Sequence, residues 1–364
     1  MKLFTVGPVA SYPEVMAVYQ KGFPYFRTEE YGNIVKEGLK GLANLLGITY
    51  HDNIIYLTAS GTAAMEAVVE NCFSASDKVL VINGGSFGHR FCELCEWHKI
   101  PFDSINLQWN EQLTEQHLQP FDNSGYTALL VNLHETSTGQ LYDVEMLSNF
   151  CQRNNMYFIV DAISTFLADD YNMEKYNIDA TIFSSQKGLS LSPGLSFIAL
   201  SSRMKDKVMS EAQPKTCYFN FKDYFLNITR GQTPYTPAVY IMYELKEMLS
   251  LINEKGKEAW LKQIEDNCLY FRNKISKLGL RIPTTYRLSN MLTPVMFDDI
   301  NAYDVFLSLQ DKYRIFVNPC SGDLKNKLLR VSHVGNISVS DIDFLIEKMV
   351  EIINELKGTS NDRK

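Results

Sequence analysis

Short apolar runs recur along the first two hundred residues of the chain. Their hydrophobic positions are continuous and do not alternate with polar ones, which is typical of strands that are covered on both faces. Helical patterns such as 63–72 and 144–154 lie between them, and this alternation predicts a mostly parallel α/β sheet. The predicted strands are 53–57, 78–82, 128–133, 156–160, 180–184 and 196–200.

The last hundred or so residues follow a different pattern. A long helical stretch at 240–275 is broken near Gly256, and later strands alternate with helices. This pattern predicts a smaller α+β domain, with strands at 291–297 and 327–332, a helix from Ala302 and a final helix at 340–356. We predict an N-terminal arm at 1–15, a large domain at 16–250 and a small C-terminal domain at 251–364.

Composition and charge limit the classes of partner. The chain has 364 residues, 45% of them hydrophobic and 21% charged, and a formal net charge of −7. A mildly acidic chain of this length predicts a soluble protein of two unequal domains without an electrostatic footprint for nucleic acid or anionic lipid. No apolar run predicts a signal peptide or a membrane span, so we expect a cytoplasmic protein.

The cysteines predict free thiols. Seven are scattered along the chain, and the Cys92-Glu-Leu-Cys95 pair has no second pair at the spacing of a zinc site. We favour two buried residues on one helix face over a redox pair. No metal site is predicted.

Two glycine-containing segments follow predicted strands. Ser60-Gly61-Thr62 opens a helix, where backbone N–H groups, hydroxyls and the helix dipole can hold a phosphate, although a plain helix cap has the same composition. Glycines on both sides leave Phe87 free either to stack on a flat heteroaromatic ligand or to fold into the core.

Three further polar segments lie at strand ends. The segment 134–139 concentrates polar groups where open α/β sheets bind ligands. Asp161 ends an apolar run, and a buried carboxylate needs a partner, either a pyridine nitrogen or a helix start. Lys187 follows a strand beside Gly188, and such an amine can form a Schiff base when its pKa is lowered. Taken singly each has an ordinary structural explanation, but all five features follow apolar strands in order.

This set of residues resembles the class V aminotransferases of pyridoxal-phosphate fold type I. The resemblance runs from about residue 3 to 350 and is strongest to the alanine–glyoxylate, serine–pyruvate and 2-aminoethylphosphonate–pyruvate transaminases. The opening Thr5-Val-Gly7-Pro8 also fits that branch, in which this segment reaches the active site. The resemblance implies an α/β fold with a mainly parallel seven-stranded sheet in the large domain and a smaller α+β C-terminal domain.

The resemblance also implies a role for each matching residue. Lys187 would form the Schiff base with pyridoxal 5'-phosphate and move the proton, and Asp161 would pair with the pyridine nitrogen. Phe87 would stack on the ring, where relatives often have Trp. The other implied contacts are Ser60, Gly61 and Thr62 at the phosphate, Thr136 near the phenolic oxygen, Ile163 beneath the ring and Gln186 in the phosphate or ring shell.

Substrate and subunit contacts are implied in the same way. Arg330 matches the arginine that forks the substrate carboxylate, a bidentate contact that Lys makes poorly. Gly7 would lie at the substrate. The segment 22–32 is expected to be a loop at the side-chain pocket, where Tyr25, Arg27 and Glu30 would contact the substrate or the partner subunit. Arg27 would either bind a second anionic group or form an ordinary surface ion pair. The segment 232–236 resembles the one that reaches the phosphate of the neighbouring subunit. Thr236 matches it best, whereas Thr233 stands where an aromatic is usual.

The implied activity is a ping-pong transamination from a donor of the alanine, serine or 2-aminoethylphosphonate type to pyruvate or glyoxylate, catalysed by a homodimer. Cysteine desulfurases place His where this chain has Gln186, and no cysteine lies in an obvious mobile loop. Both points favour an aminotransferase. A lyase on the same fold and a non-catalytic protein that kept the fold remain the alternatives.

Overall fold

The structure is a computed structural model that describes residues 1–22 and 25–361. Its strands are β1 Lys2–Leu3, β2 Ile54–Leu57, β3 Val79–Asn83, β4 Phe102–Asn106, β5 Ala128–Asn132, β6 His134–Glu135, β7 Gln140–Leu141, β8 Tyr157–Asp161, β9 Ala180–Ser184, β10 Ser196–Leu200, β11 Leu292–Met296, β12 Ile315–Phe316, β13 Asn318–Pro319 and β14 Leu328–Ser332. Its α-helices are α1 Pro13–Met16, α2 Glu29–Leu46, α3 Gly61–Cys72, α4 Ser86–His98, α5 Glu115–Leu118, α6 Val144–Arg153, α7 Ser202–Glu211, α8 Phe221–Ile228, α9 Val239–Lys255, α10 Lys257–Lys277, α11 Ala302–Tyr313 and α12 Val339–Asn361. Short 3₁₀ turns lie at Ala17–Lys21, His51–Asn53, Gln119–Phe121 and Gly322–Leu324.

A seven-stranded sheet forms the centre of the fold, in the order β2-β10-β9-β8-β5-β3-β4. Strand β10 runs antiparallel to both of its neighbours, and the other pairs are parallel. Strands β5, β9 and β10 are buried at every position, as their continuous apolar runs predict. The prediction of a mainly parallel seven-stranded sheet is confirmed.

Helices cover both faces of this sheet because successive strand residues point to opposite sides. In β9, Ile182 belongs to the apolar cluster that also holds residues of α3, α4, α7 and α8. The next residue, Phe183, belongs to the cluster formed with α2, α6 and α9. Both clusters are closed to solvent, so polar groups reach the sheet only at its ends.

The C-terminal part builds a second, smaller sheet in the order β11-β14-β13, antiparallel throughout. Helices α10, α11 and α12 cover it around a separate apolar core that includes Phe271 and Leu345. Phe4 joins this core, because β1 pairs in parallel with β12. The long helical stretch does break at Gly256, as predicted, into α9 and α10. The proposed domain limits stay a prediction.

Two local predictions are wrong. The segment 22–32 was expected to be a loop, but α2 begins at Glu29 and places Glu30 on a helix, while residues 23 and 24 lie outside the described residues. Strand β4 was not predicted, because as an edge strand it alternates buried and exposed positions and has no apolar run. By contrast, Cys92 and Cys95 do lie buried on α4, and all seven cysteines are free thiols. Among the described helices, none has an apolar stretch long enough to cross a membrane.

Candidate active site

The carboxyl ends of β2, β5, β8 and β9 meet at one edge of the central sheet. Register places Asn132 beside Asp161, and Asp161 beside Ile182. The start of α3 packs onto the turn after β8, since an ideal Cβ on Gly61 would lie 2.5 Å from Cδ1 of Ile163. Predicted residues from separate strand ends are therefore brought together at this edge.

Lys187 lies against the N-terminal segment. Its Nζ donates a hydrogen bond to the carbonyl of Val6 at 2.6 Å. An ideal Cβ on Gly7 would lie 2.7 Å from both Cδ and Cε of the lysine, and Gly7 has a φ of +140°. The backbone N–H of Val9 also donates to the carbonyl of Gln186 at 3.3 Å. The segment 6–9 thus forms one wall around the lysine, and only glycine leaves room for its side chain.

Burial moves the two central ionisable groups toward their neutral forms. Desolvation and the nearby Arg330 guanidinium lower the pKa of Lys187 to about 8, while Asp161 opposes the shift. Burial raises the pKa of Asp161 to about 7, although the N–H of Ile163, at 2.8 Å from Oδ1, and Lys187 stabilise its charge. Lys187 is therefore a far better nucleophile near neutral pH than an exposed lysine.

The start of α3 can bind an anion. Ser60 caps the helix by accepting from the N–H of Ala63 at 3.2 Å, and the first turn contains no acidic residue. Ser184 ends β9 close to Gly61, and its buried hydroxyl has no hydrogen-bond partner among the described residues. Thr62 is half-buried in the same turn. Free N–H groups at a helix start favour a phosphate.

Arg330 reaches from the small sheet to the segment after β5. Its Nη1 donates to the carbonyl of Thr136 at 3.1 Å, and its Nη2 donates to the carbonyl of Pro319 at 2.8 Å. The Thr136 hydroxyl lies 2.9 Å from the hydroxyl of Ser164, which follows β8. Phe87 and Arg330 line a cavity of about 730 Å³ that opens between the two sheets, together with Trp109. A small carboxylate substrate fits beside Arg330 within this volume.

The aminotransferase class-V family model matches residues 25–340. The chain belongs to this family. An uncharacterized aminotransferase of Methanocaldococcus jannaschii is 28% identical over 345 residues, which are 92% of this chain and 87% of the relative. The alanine–glyoxylate aminotransferase of Callithrix jacchus is 25% identical over 368 residues, 95% and 86% of the two chains. The crystal structure of a subgroup IV aspartate aminotransferase from Thermus thermophilus, 24% identical, superposes with a TM-score of 0.89 over 98% of this chain and 100% of that one.

The class-V family is pyridoxal-phosphate-dependent, so this aminotransferase uses pyridoxal 5'-phosphate. The residues at the sheet edge fit that group. The start of α3, whose first turn has no acidic residue, and the Ser184 hydroxyl, which has no partner among the described residues, suit a phosphate. The buried carboxylate of Asp161 suits a basic ring nitrogen, and the amine of Lys187 suits a carbonyl. The expected fold type I is confirmed with the family.

Two predicted site residues, Arg27 and Thr236, are exposed within a single chain. Arg27 is exposed, and its guanidinium lies 3.3 Å from both Oε1 of Gln232 and the carbonyl of Thr233. Thr236 is also exposed. Within one chain the structure therefore places Arg27 against the segment 232–236 and not against Lys187. The substrate role of Arg27 and the cofactor role of Thr236 stay predictions.

Three polar residues beside the site were given no role of their own from the sequence, although His134 and Glu135 lie in the predicted segment 134–139. Glu135 is completely buried and binds the start of α4. Ser164 joins Thr136, as described above. His134 is buried, with Nδ1 at 3.3 Å from the carbonyl of Ser164, and burial lowers the pKa of His134 to about 3. The only available signal was their place within or after strand ends, because their partners lie up to 48 residues away.

Proposed function

We propose that this aminotransferase moves an amino group from a small donor of the alanine, serine or 2-aminoethylphosphonate type to a small 2-oxo acid, pyruvate or glyoxylate. The transfer takes place as two half-reactions in a ping-pong sequence. One observation carries the proposal: the amine of Lys187, half-buried behind the segment 6–9, lies at the same sheet edge as the buried carboxylate of Asp161. Burial and Arg330 lower the pKa of this amine to about 8. The match to an alanine–glyoxylate aminotransferase supports the choice of substrates.

Lys187 carries two roles in this proposal. Its neutral amine would hold the cofactor through the cofactor carbonyl. The same Nζ, when free, would take the proton from the substrate Cα and return it within the same half-reaction. When bound, the cofactor would supply an electron-withdrawing ring. Asp161 would keep the ring nitrogen protonated, a role that requires its carboxylate to be charged.

The remaining contacts hold cofactor and substrate in place. Arg330 pairs with the substrate carboxylate through its guanidinium, already aligned by two carbonyls. Gly7 and Arg27 are proposed at the substrate as well. The proposed cofactor contacts are Ser60, Gly61 and Thr62 at the phosphate, Phe87 and Ile163 on the two faces of the ring, Thr136 near the phenolic oxygen, Gln186 in the phosphate or ring shell and Thr236 from a neighbouring subunit.

We also propose a cytoplasmic homodimer. Thr236 and Arg27 are exposed in one chain, and a second chain would bring Thr236 to the cofactor phosphate and Arg27 to the substrate. All seven cysteines are free thiols, which is typical of a reducing compartment. Sedimentation tests the assembly, and a fully active monomer at every dilution would contradict it.

The test is a panel of single half-reactions, read from the colour change of the cofactor. Alanine, serine and 2-aminoethylphosphonate are each mixed with the protein, and then pyruvate or glyoxylate is added to reverse the change. The Lys187→Ala variant should lose turnover while it keeps some cofactor bound noncovalently. Without an added 2-oxo acid, the alanine half-reaction can release at most one pyruvate per site. Repeated release of pyruvate from serine, or of sulfide from cysteine, without a 2-oxo acid would contradict the proposal in favour of a lyase.

Lys257→Ala is the matched control. Lys257 is also partly buried, its Nζ donates to the carbonyls of Leu45 and Tyr171 at 2.9 and 3.1 Å, and burial lowers its pKa. It lies away from the sheet edge that holds Lys187. Its replacement should therefore cost stability but leave the half-reactions intact, and equal loss of turnover in both variants would refute the special role of Lys187.

A further inference from the structure

The first turn of α4 is capped by a different segment of the chain. Its N-cap residue, Gly85, has no side chain to offer, and the first N–H groups of any helix lack partners within the helix. The N–H of Ser86 donates to Oγ of Ser137 at 3.2 Å. The N–H groups of Phe87 and Gly88 donate to Oε2 of Glu135 at 3.2 and 3.1 Å. The segment that follows β5 therefore supplies the cap.

The side chain of Glu135 is buried at the start of α4. It is 0% exposed, and no ion pair among the described residues includes it. Besides the two N–H groups of α4, its Oε2 accepts from Nδ2 of Asn132 at 2.9 Å, and its Oε1 accepts from the N–H of Ser137 at 3.1 Å and from the Ser137 hydroxyl. A buried charge without a cation is stable only when such donors and a helix dipole replace water.

The contact is close enough to fix the backbone. An ideal Cβ on Gly85 would lie 2.6 Å from Cδ of Glu135, so only glycine fits at this position. On the other side, an ideal Cβ on Gly88 would lie 2.5 Å from the carbonyl of Ile82 in β3. The backbone of Phe87 is thus held between the end of β3 and the Glu135 carboxylate.

We propose that Glu135 is a positioning residue, which fixes the Phe87 ring against the cofactor by binding the backbone N–H groups of Phe87 and Gly88. The inference rests on the stacking role given to Phe87 in the proposed function. The charge of Glu135 also reaches Asp161, where it adds to the burial that raises the pKa of that carboxyl group.

The same contact distinguishes the two helix starts at this edge. The start of α4 already holds an internal anion, whereas the first turn of α3 contains no acidic residue. An internal carboxylate repels a second anion from α4. A phosphate at the start of α3, as in the proposed function, avoids this repulsion.

The decisive variant is Glu135→Gln, which keeps the size of the side chain. The amide nitrogen of Gln is a donor, so it cannot accept from N–H groups, and the charge is lost. We expect the dissociation constant of pyridoxal 5'-phosphate to rise by on the order of tenfold, as for the loss of a hydrogen bond to a charged group. The visible absorption band and the induced circular dichroism of the bound cofactor should change. Glu135→Asp, which keeps the charge, should restore part of both.

Glu70→Gln is the matched control. Glu70 is also buried, and its Oε1 accepts from the N–H groups of Lys215 and Thr216 at 2.6 and 2.7 Å, near the far end of α3. Both Gln variants should lower the melting temperature. Only Glu135→Gln should weaken cofactor binding and change its spectrum, and an equal effect of Glu70→Gln on the cofactor would overturn the proposal.

A double-mutant cycle tests whether Glu135 acts through Phe87. In the Phe87→Ala background, Glu135→Gln should weaken cofactor binding by less than half as much as it does in the wild type, because no ring is left to position. Effects that simply multiply would overturn the positioning role. The proposed function fails separately, since it requires the wild-type protein to bind the cofactor and complete the half-reactions whatever the variants do.

Discussion

Lys187 should be reactive near neutral pH because burial and Arg330 both disfavour its protonated form. With a pKa of about 8, lowered from 10.5, about one amine in ten is neutral near pH 7, whereas an ordinary lysine is neutral about once in three thousand. The neutral fraction of Lys187 at pH 7 is therefore expected to be about three hundredfold that of an exposed lysine, and the pH dependence of its labelling reports this fraction. Competitive labelling of the apoprotein with acetic anhydride, followed by mass spectrometry of the peptides, measures it directly.

Replacing Arg330 should reverse part of this gain. The Arg330→Gln variant removes a positive charge that lowers the pKa of Lys187, so the midpoint of the labelling curve should move from about 8 toward 10.5. A rise of half a unit alone would reduce the neutral fraction at pH 7 about threefold. Arg330→Lys, which keeps the charge, should leave the midpoint close to that of the wild type.

Lys327→Gln is the matched control for the loss of a cation. Lys327 lines the same cavity as Arg330 but is not among the groups that shift the pKa of Lys187. Its removal should leave the labelling midpoint in place. A wild-type midpoint near 10.5, or a downward move in Arg330→Gln, would refute the electrostatic reasoning.

Three further variants follow from the same geometry. Lys187→Met should stabilise the apoprotein below pH 8, where the lysine is charged in both the folded and the unfolded state and its burial costs about 3 kcal/mol. This stabilisation should disappear as the pH rises from 8 to 10.5, and melting curves that show a constant stabilisation across that range would contradict the idea. Gly7→Ala, with a φ of +140° and a Cβ 2.7 Å from the side chain of Lys187, should add about 1–3 kcal/mol of strain and slow the capture of cofactor, so unchanged capture would disprove the close contact. Asp161→Asn should keep the cofactor bound while the half-reactions slow by on the order of a hundredfold, because an amide cannot hold the ring nitrogen protonated; a variant with wild-type rates would exclude that role.

Buried strands were predictable from the sequence because their apolar runs leave little choice of environment. The predicted strands of the central sheet differ from the observed ones by no more than one residue at either end. Edge strand β4 was missed, since Phe102-Asp-Ser-Ile-Asn106 is partly exposed and shows no run. Helix α2 was also missed at its start, where Glu29 and Glu30 are as polar as a loop but follow the Thr28 cap, which accepts from the N–H of Tyr31.

The site was predictable in so far as its residues follow strands directly. Lys187 and Asp161 belong to the ends of parallel strands, and the sheet brings such ends together whatever their separation in sequence. Glu135 follows the same rule but was not singled out, because its function depends on the first turn of α4, which contacts it from 47 residues earlier. The direction of the Glu135 side chain is set by these tertiary contacts, and the sequence around Glu135 does not indicate them.

Instability and reactivity have one physical cause at this sheet edge. Burial lowers the pKa of Lys187 and raises that of Asp161, so the charged form of each group is destabilised in the protein without cofactor. A bound cofactor would give Asp161 a counter-charge, the protonated nitrogen of its ring. A bond between the Lys187 amine and the cofactor carbonyl would remove the need to bury an ammonium ion. Variants that make Lys187 easier to protonate should therefore stabilise the apoprotein and also weaken cofactor capture. Variants that make a purely structural lysine such as Lys257 easier to protonate should stabilise the apoprotein without any effect on cofactor capture.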